Sequence, residues 1–377
     1  MSSKPVSVSR QVPVAPEARA AAERLVSLAV QGLPPMFDPA QQLFCFTLKR
    51  GEGGVAREGL SRRYTMMVLL GLHRLEQSGR NSPIEIEPVL KGLVGNTDWI
   101  DNIGDLGVLL WLCAVVSPDR LPTVAKGLDI SSALKRFRGA RHGNTMELAW
   151  FLTGLSYAIL LDARPVCSAM VDPAVAAYRL LIRNQSEHGI FGHSSTNQSL
   201  AGALRGGIGS FADQVYPIYA MAQYSQAVGD EKAVERALDC GLNICEAQGL
   251  LGQWWWHYDC STGGVGGKYP VFSVHQHAMA PMTLFALGET THSDFGPWIY
   301  KGLEWIGKNE LGLDMEDASA GVIWRCLEQP VPVKYWGTAK ALLTRRNDAS
   351  SKNSLRVRFE CRPYELGWLL YAFANRL

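Results

Sequence analysis

An all-α ring of helical hairpins, an (α/α)6 toroid, is the fold class that this 377-residue sequence predicts, and three observations predict it. The first is a recurring run of Gln, a few residues, Gly and then a large apolar or aromatic residue, placed ahead of strongly apolar, helix-length segments. Its fullest copy is Gln248-Gly249-Leu250-Leu251-Gly252-Gln253-Trp254-Trp255-Trp256-His257-Tyr258-Asp259, followed by Tyr269-Pro270-Val271-Phe272-Ser273-Val274-His275-Gln276-His277. A weaker copy runs from Gln185 to Phe191-Gly192-His193 ahead of Phe211-Ala212-Asp213-Gln214-Val215-Tyr216, and a degenerate one from Asn309-Glu310-Leu311-Gly312 to Trp324-Arg325. Copies about 60 residues apart point to repeated helical hairpins. The second observation is that two kinds of helix alternate. The third is the scarcity of strand signals, from which fewer than about one residue in ten is expected in strands, against a usual 20–25%.

In chain order, Met1 to Pro16 is Ser/Val/Pro-rich and polar, without an apolar signal core or a membrane-spanning run, and reads as a loose arm on a single domain over 17–377. Asp105–Val116, Met146–Leu161 and Val271–Leu287 are apolar on every side and are expected as inner helices. Glu231–Cys245 is amphipathic, with Val234, Leu238, Leu242 and Cys245 on one face and Glu231, Lys232, Glu235 and Asp239 on the other, as befits an outer helix. Pro173–Arg183 is a second outer helix, with Asp172 before it and Pro at its first position. Pairing these elements gives hairpins at 60–95, 98–137, 145–185, 211–248 and 273–309, with 18–33 and 363–377 completing the ring. Gly321–Leu327 and Leu355–Cys361 are expected to pair as a small β-ribbon inside the long 310–362 connection. Pro217 and Pro281 should kink two inner helices or delay their starts.

Lys and Arg number 37 against 35 Asp and Glu, so the chain has no basic field for nucleic acid. The eight cysteines show no zinc or redox spacing and mostly sit within apolar patterns, which points to reduced core thiols and a cytoplasmic protein. No cofactor motif is present, and no metal site is expected, since His257, His275 and His277 lack the spacing of a zinc motif. On a helix His275 and His277 would point about 200° apart, so only an extended or pre-helical trace turns both to one cavity.

In such a ring the outer-to-inner loops converge on one mouth, and here they hold the polar residues. Those loops carry Asp98, Asp101 and Asp105; Arg141, His142 and Glu147; His193, Arg205 and Asp213; Trp254 to Asp259 with His275 and His277; and Arg325, Arg362, Tyr364 and Glu365. The opposite loops, Gly229-Asp230 and Gly288-Glu289-Thr290, are short and plain. This asymmetry points to an enzyme or a binder. Asn144-x-x-Glu147, Ser210-x-x-Asp213 and Ser273-x-x-Gln276 have capping-box spacing; Glu147 is read as a cap, whereas Asp213, beside Arg205, Tyr216 and a Gly-rich approach, is read as a pocket wall. Asp98, Asp101 and Asp105 share a helical face, where a helix N-terminus stabilises them or they act chemically. Three successive tryptophans cannot all be buried, so at least one indole among Trp254, Trp255 and Trp256 should reach the cavity, to stack on a sugar or a carbocation.

The run from Gly252-x-Trp254 to Asp259, with the aromatic segment and apolar helix that follow, resembles the loop-and-inner-helix pattern of six-hairpin carbohydrate enzymes. The resemblance is particularly to the unsaturated glucuronyl hydrolases and, more distantly, to the acylglucosamine 2-epimerases. The Gln…Gly…Trp/Phe repeat is similar to that of squalene-type terpene cyclases, although their Asp-x-Asp-Asp motif is absent and Asp98-x-x-Asp101 stands in for it. The expected function is therefore that of a carbohydrate-active enzyme of hydrolase, lyase or epimerase type, acting on a small molecule or oligosaccharide by general acid/base chemistry. Asp213 and Asp101 are the expected catalytic pair, and His275 the proton shuttle if the reaction is epimerisation or elimination. Arg205 and Arg325 suit a substrate carboxylate or sulfate. Trp254, Trp255, Trp256, His257, Asp259, Gln276, His277, Tyr216, Asp98, Asp105 and Glu365 are the other expected binding residues. A terpene cyclase or prenyl-transfer enzyme and a non-catalytic glycan-binding toroid are the alternatives.

Overall fold

A computed structural model describes residues 16–140, 142–161, 166–197, 207–329 and 355–377. Its helices are α1 (Pro16–Gly32), α2 (Arg62–Gln77), α3 (Ile86–Gly95), α4 (Ile103–Val116), α5 (Leu121–Gly127), α6 (Ile130–Gly139), α7 (Thr145–Leu160), α8 (Val166–Ile182), α9 (Ala212–Val228), α10 (Glu231–Glu246), α11 (Ala280–Thr291), α12 (Gly296–Glu304) and α13 (Pro363–Phe373). Six of them, α2, α4, α7, α9, α11 and α13, pack each against the next, and α13 returns to α2. The others lie outside this ring, so the architecture is the expected (α/α)6 toroid.

Inner and outer roles follow from composition. In α4 and α7 nearly every residue is buried, because each inner helix has neighbours on all sides. Glycine permits the closest approaches. A Cβ on Gly107 would lie 2.3 Å from Phe151 Cα, one on Gly154 would lie 2.1 Å from the Gly107 carbonyl oxygen, and one on Gly71 would lie 2.1 Å from that of Gly367. At these points α4 meets α7, and α2 meets α13, backbone to backbone. Gly107→Ala is therefore expected to destabilise the protein by about 1–3 kcal/mol through overpacking, read as a shifted denaturation midpoint at unchanged slope. An unchanged midpoint would contradict the backbone contact.

One proline, Pro173, behaves differently from its sequence reading. Pro173 lies inside α8 rather than opening it, since Met170, Ala174, Ala177, Tyr178 and Leu181 form one continuous buried face across it. Pro217 is likewise interior to α9. Pro281 does delay a helix: a π turn over His275–Met279 comes first, in which the Ala280 N–H donates to the His275 carbonyl, and α11 begins only at Ala280.

Short antiparallel ladders join the segments that precede successive inner helices. His142–Asn144 before α7 pairs with Ser194–Asn197 before α9; Ile208–Ser210 pairs with His257–Asp259; Val271–Phe272 pairs with Cys326–Glu328; and Glu360–Cys361 before α13 pairs with Leu43–Gly51 before α2. The expected ribbon is present as Cys326–Glu328 against Arg356–Arg358. Strands nevertheless take up more of the chain than the tenth expected, chiefly because Leu43–Gly51 forms a hairpin with Gly54–Leu60. That second strand is exposed along its whole length, so no buried alternation marks it; pairing alone holds it. Seven free cysteines are described, six of them buried, and no described helix is long and apolar enough to cross a membrane.

Candidate active site

All six inner helices start at the same end of the ring; the first turns of five carry Arg63, Asp105, Glu147, Asp213 and Glu365, and the π turn ahead of α11 carries His275. Helix N-termini favour negative charge, which places four carboxyl groups there at low cost. Four clusters of contacts run round this rim.

Around α4 and α7, both oxygens of the buried Asp105 accept from Arg63, with the Nη2 contact at 3.0 Å, and Asn102 donates to Asp105 at 2.6 Å and to Asp101 at 2.7 Å. Arg63 lies 3.9 Å from Glu147 and 5.3 Å from the ring of Trp150. Burial raises the pKa of Glu147; Arg63 and a hydrogen bond to Asn144 oppose this, and the charges of Asp105 and Asp101 add to the rise. Glu147 is thus a rim carboxyl inclined to keep its proton, as is the buried Glu365, which burial also raises. The reciprocal capping box is not formed at Glu147, because the Asn144 side chain makes no cap bond to the helix backbone. Asp98 is exposed and stands apart.

At α9 the capping box is formed: Ser210 N–H donates to Asp213 Oδ2 at 2.8 Å and Asp213 N–H to Ser210 Oγ at 3.3 Å. The same Oδ2 accepts from the Ser210 hydroxyl at 2.7 Å and lies 2.9 Å from His193 Nδ1. Oδ1 of this buried carboxylate has no partner among the described residues. A buried oxygen left unpaired calls for a role.

Next round the rim, Phe211 lies 4.5 Å from His275, which is stacked on Trp256 at 6.1 Å with planes 9° apart, and Phe272 is 5.3 Å away. Burial pushes His275 down to about 3, so the imidazole is neutral, which removes the reason to assign it a proton shuttle at ordinary pH. Of the three tryptophans, Trp256 alone is half-exposed. Trp254 packs against Phe211, its indole nitrogen beside Gly302, and Trp255 donates to the Ala247 carbonyl at 2.9 Å. Gln276 is fully buried, accepting from Trp254 N–H at 3.2 Å and donating to the Phe272 carbonyl at 3.2 Å; it ties the tryptophan loop to the π turn. His277 is also buried within the core. Asp259 closes a turn by accepting from Ser261, and half-buried His257 lies in the ladder beside it, 5.0 Å from Trp256.

The fourth cluster links α13 and α2. Arg325 forms a buried ion pair with Glu365 and lies 4.9 Å from the Phe272 ring. Arg362 donates through its guanidinium to Tyr64 at 2.8 Å and covers Phe46 at 4.6 Å; its backbone N–H donates to Glu365 at 3.3 Å, its guanidinium forms no ion pair at salt-bridge distance among the described residues, and its Nε is unpaired. Tyr64 and Tyr364 lie 4.6 Å apart. Tyr216 accepts from Trp368 at 3.0 Å and meets Trp150 edge-on at 5.0 Å, so it joins this cluster to the first. Sequence reasoning assigned the substrate anion to Arg325, which is already neutralised, and to Arg205, which lies outside the described residues. It left Glu147, His193, Tyr64 and Arg362 without chemical roles, although their place beside inner-helix starts was a usable signal.

No family model and no curated protein matches the sequence. Among solved structures the chain is similar to a possible GH105-family member from Klebsiella pneumoniae, at 13% identity over 100% of this chain and 98% of that one, with a TM-score of 0.63. A possible GH105-family member from Salmonella enterica matches at 12% identity over 99% and 98%, with a TM-score of 0.62. The unsaturated glucuronyl hydrolase of Bacillus sp. GL1, described as responsible for the degradation of glycosaminoglycan, matches at 12% identity over 95% and 96%, with a TM-score of 0.60. At these identities the likeness establishes the (α/α)6 toroid.

Proposed function

We propose that the protein is a carbohydrate-active hydrolase working at this rim on an oligosaccharide that carries an acidic sugar, with residues 17–377 acting as one unit. One observation carries the reading: two carboxyl groups, Glu147 with its pKa raised by burial and Asp213 held by hydrogen bonds, open successive inner helices beside half-buried aromatics and the Arg362 guanidinium. A carboxyl raised by burial, together with a second held by hydrogen bonds, is a means of general acid/base chemistry. Glu147 would donate a proton to the leaving oxygen, and Asp213, oriented by Ser210 and His193, would activate water. Trp256 offers a sugar-stacking face, and Arg362 a forked partner for a uronate carboxylate. Solved structures named as unsaturated glucuronyl hydrolases support this substrate class. The terpenoid alternative calls for a lone Asp from the 98–105 run in an apolar chamber, whereas Asp105 is paired with Arg63 among polar groups.

Uronate-bearing oligosaccharides are expected to quench indole fluorescence saturably and to release reducing ends on incubation. Arg362→Met should weaken the acidic ligands by about tenfold or more and leave neutral ones unchanged, as loss of a charged hydrogen-bonding partner implies. Binding of prenyl diphosphates with no response to any oligosaccharide would overturn the reading.

A further inference from the structure

The far end of the ring, where the inner helices finish, holds a cavity of about 190 Å³, bounded by Arg74, Tyr157, Tyr219, Gln223, Met282 and Tyr371. An aromatic plug separates it from the rim. Trp111 and Trp368, both fully buried, stack at 5.4 Å; Trp368 reaches up to Tyr216, and Trp111 lies 5.5, 5.3 and 5.4 Å from Tyr157, Tyr219 and Tyr371. The two ends are therefore chemically independent.

The cavity's charge is unbalanced. Arg74 donates to the Tyr371 hydroxyl at 3.3 Å and lies 4.7 Å from that ring, but no described carboxylate pairs with it, and its buried Nε has no partner. The hydroxyls of Tyr157, Tyr219 and Tyr371 form a triangle with sides of 2.7, 3.1 and 2.7 Å. Burial holds Tyr157 and Tyr219 in the neutral form, so neither supplies the missing negative charge. At the lip Arg376 is already neutralised by Glu289, and Gln223, 8% exposed, makes no hydrogen bond among the described residues. A partly buried guanidinium without a counter-ion, next to an unused amide and hydroxyls whose only described partners are one another and Arg74, is a receptor for negative oxygen.

We propose that this cavity binds a small oxyanion, a carboxylate or the similarly shaped sulfate or phosphate, as a site distinct from the catalytic rim. Its size, below the roughly 300–1,000 Å³ of drug-sized pockets, limits the ligand to a small molecule. Arg74 would grip the anion through its Nη groups, Gln223 would donate its amide, and one tyrosine would turn its hydroxyl outward.

Crystals of the full chain soaked in selenate are expected to show an anomalous peak against Arg74. Calorimetry with sodium sulfate, at ionic strength held constant with sodium chloride, should give saturable binding that Arg74→Met weakens by about tenfold or more and Gln223→Leu by less. A selenate peak at the rim arginines alone, or sulfate binding that does not saturate, overturns the proposal. If Arg74→Met does not fold, the wild-type selenate peak and an unaltered sulfate affinity in Gln223→Leu remain able to refute it.

Discussion

Asp213→Asn is expected to lower turnover by about 10²–10⁴-fold, the range for loss of a general acid or base, while the ring stays folded. The amide has nearly the shape of the carboxylate and keeps an oxygen to accept from Ser210 N–H, so the capping box survives in large part. What it loses is the charge facing His193 and the capacity to take a proton from water. A carboxylate that served only as a cap would give the opposite result, at most about 1 kcal/mol of lost stability with turnover unchanged. Melting and activity measured in parallel on this one variant separate the two roles, and an active variant refutes the catalytic one.

Glu147→Gln should cost a comparable factor, about 10²–10⁴-fold, and should also change the pH profile. Burial raises this carboxyl, so wild-type activity should fall on the alkaline side as Glu147 loses its proton, and the variant's residual activity should lack that limb. Stability gives an independent check. A carboxyl raised in the folded state contributes stability that is fully present below its unfolded value and is lost as pH rises through the folded one. The wild type should therefore be most stable relative to Glu147→Gln at acid pH, with the advantage shrinking towards neutrality. A difference in melting temperature that stays flat with pH would refute the raised value, and with it the assignment of Glu147 as the acid.

The extent to which the site was legible follows from what each residue does. The inner-helix starts stood out because an all-round apolar helix must begin somewhere, and polar residues crowd just before it; this located Asp105, Glu147, Asp213, His275 and Glu365. Their roles were not legible, since spacing is the same for a cap and for a catalytic group. Asn144-x-x-Glu147 and Ser210-x-x-Asp213 have identical form, yet only the second makes the reciprocal backbone bonds. Similarly Arg325 and Arg362 look alike as rim cations, and Glu365, 40 residues from Arg325, closes a buried ion pair with Arg325 while the Arg362 guanidinium donates to Tyr64 instead. The tryptophan run signalled that one indole would emerge; which one depended on Phe211 and on α12 closing over Trp254.

By itself the sequence determined the ring: six apolar helices that tolerate burial on every side, amphipathic partners for them, and one loaded mouth, because helical periodicity and burial are local properties repeated along the chain. Only the tertiary structure decided the strand pairing of Gly54–Leu60, the ion pairs that neutralise Arg63 and Arg325, the neutrality of His275 and the aromatic plug that divides the two ends. Each of these depends on groups far apart in sequence meeting at hydrogen-bonding or van der Waals distance, and on the burial they impose on one another.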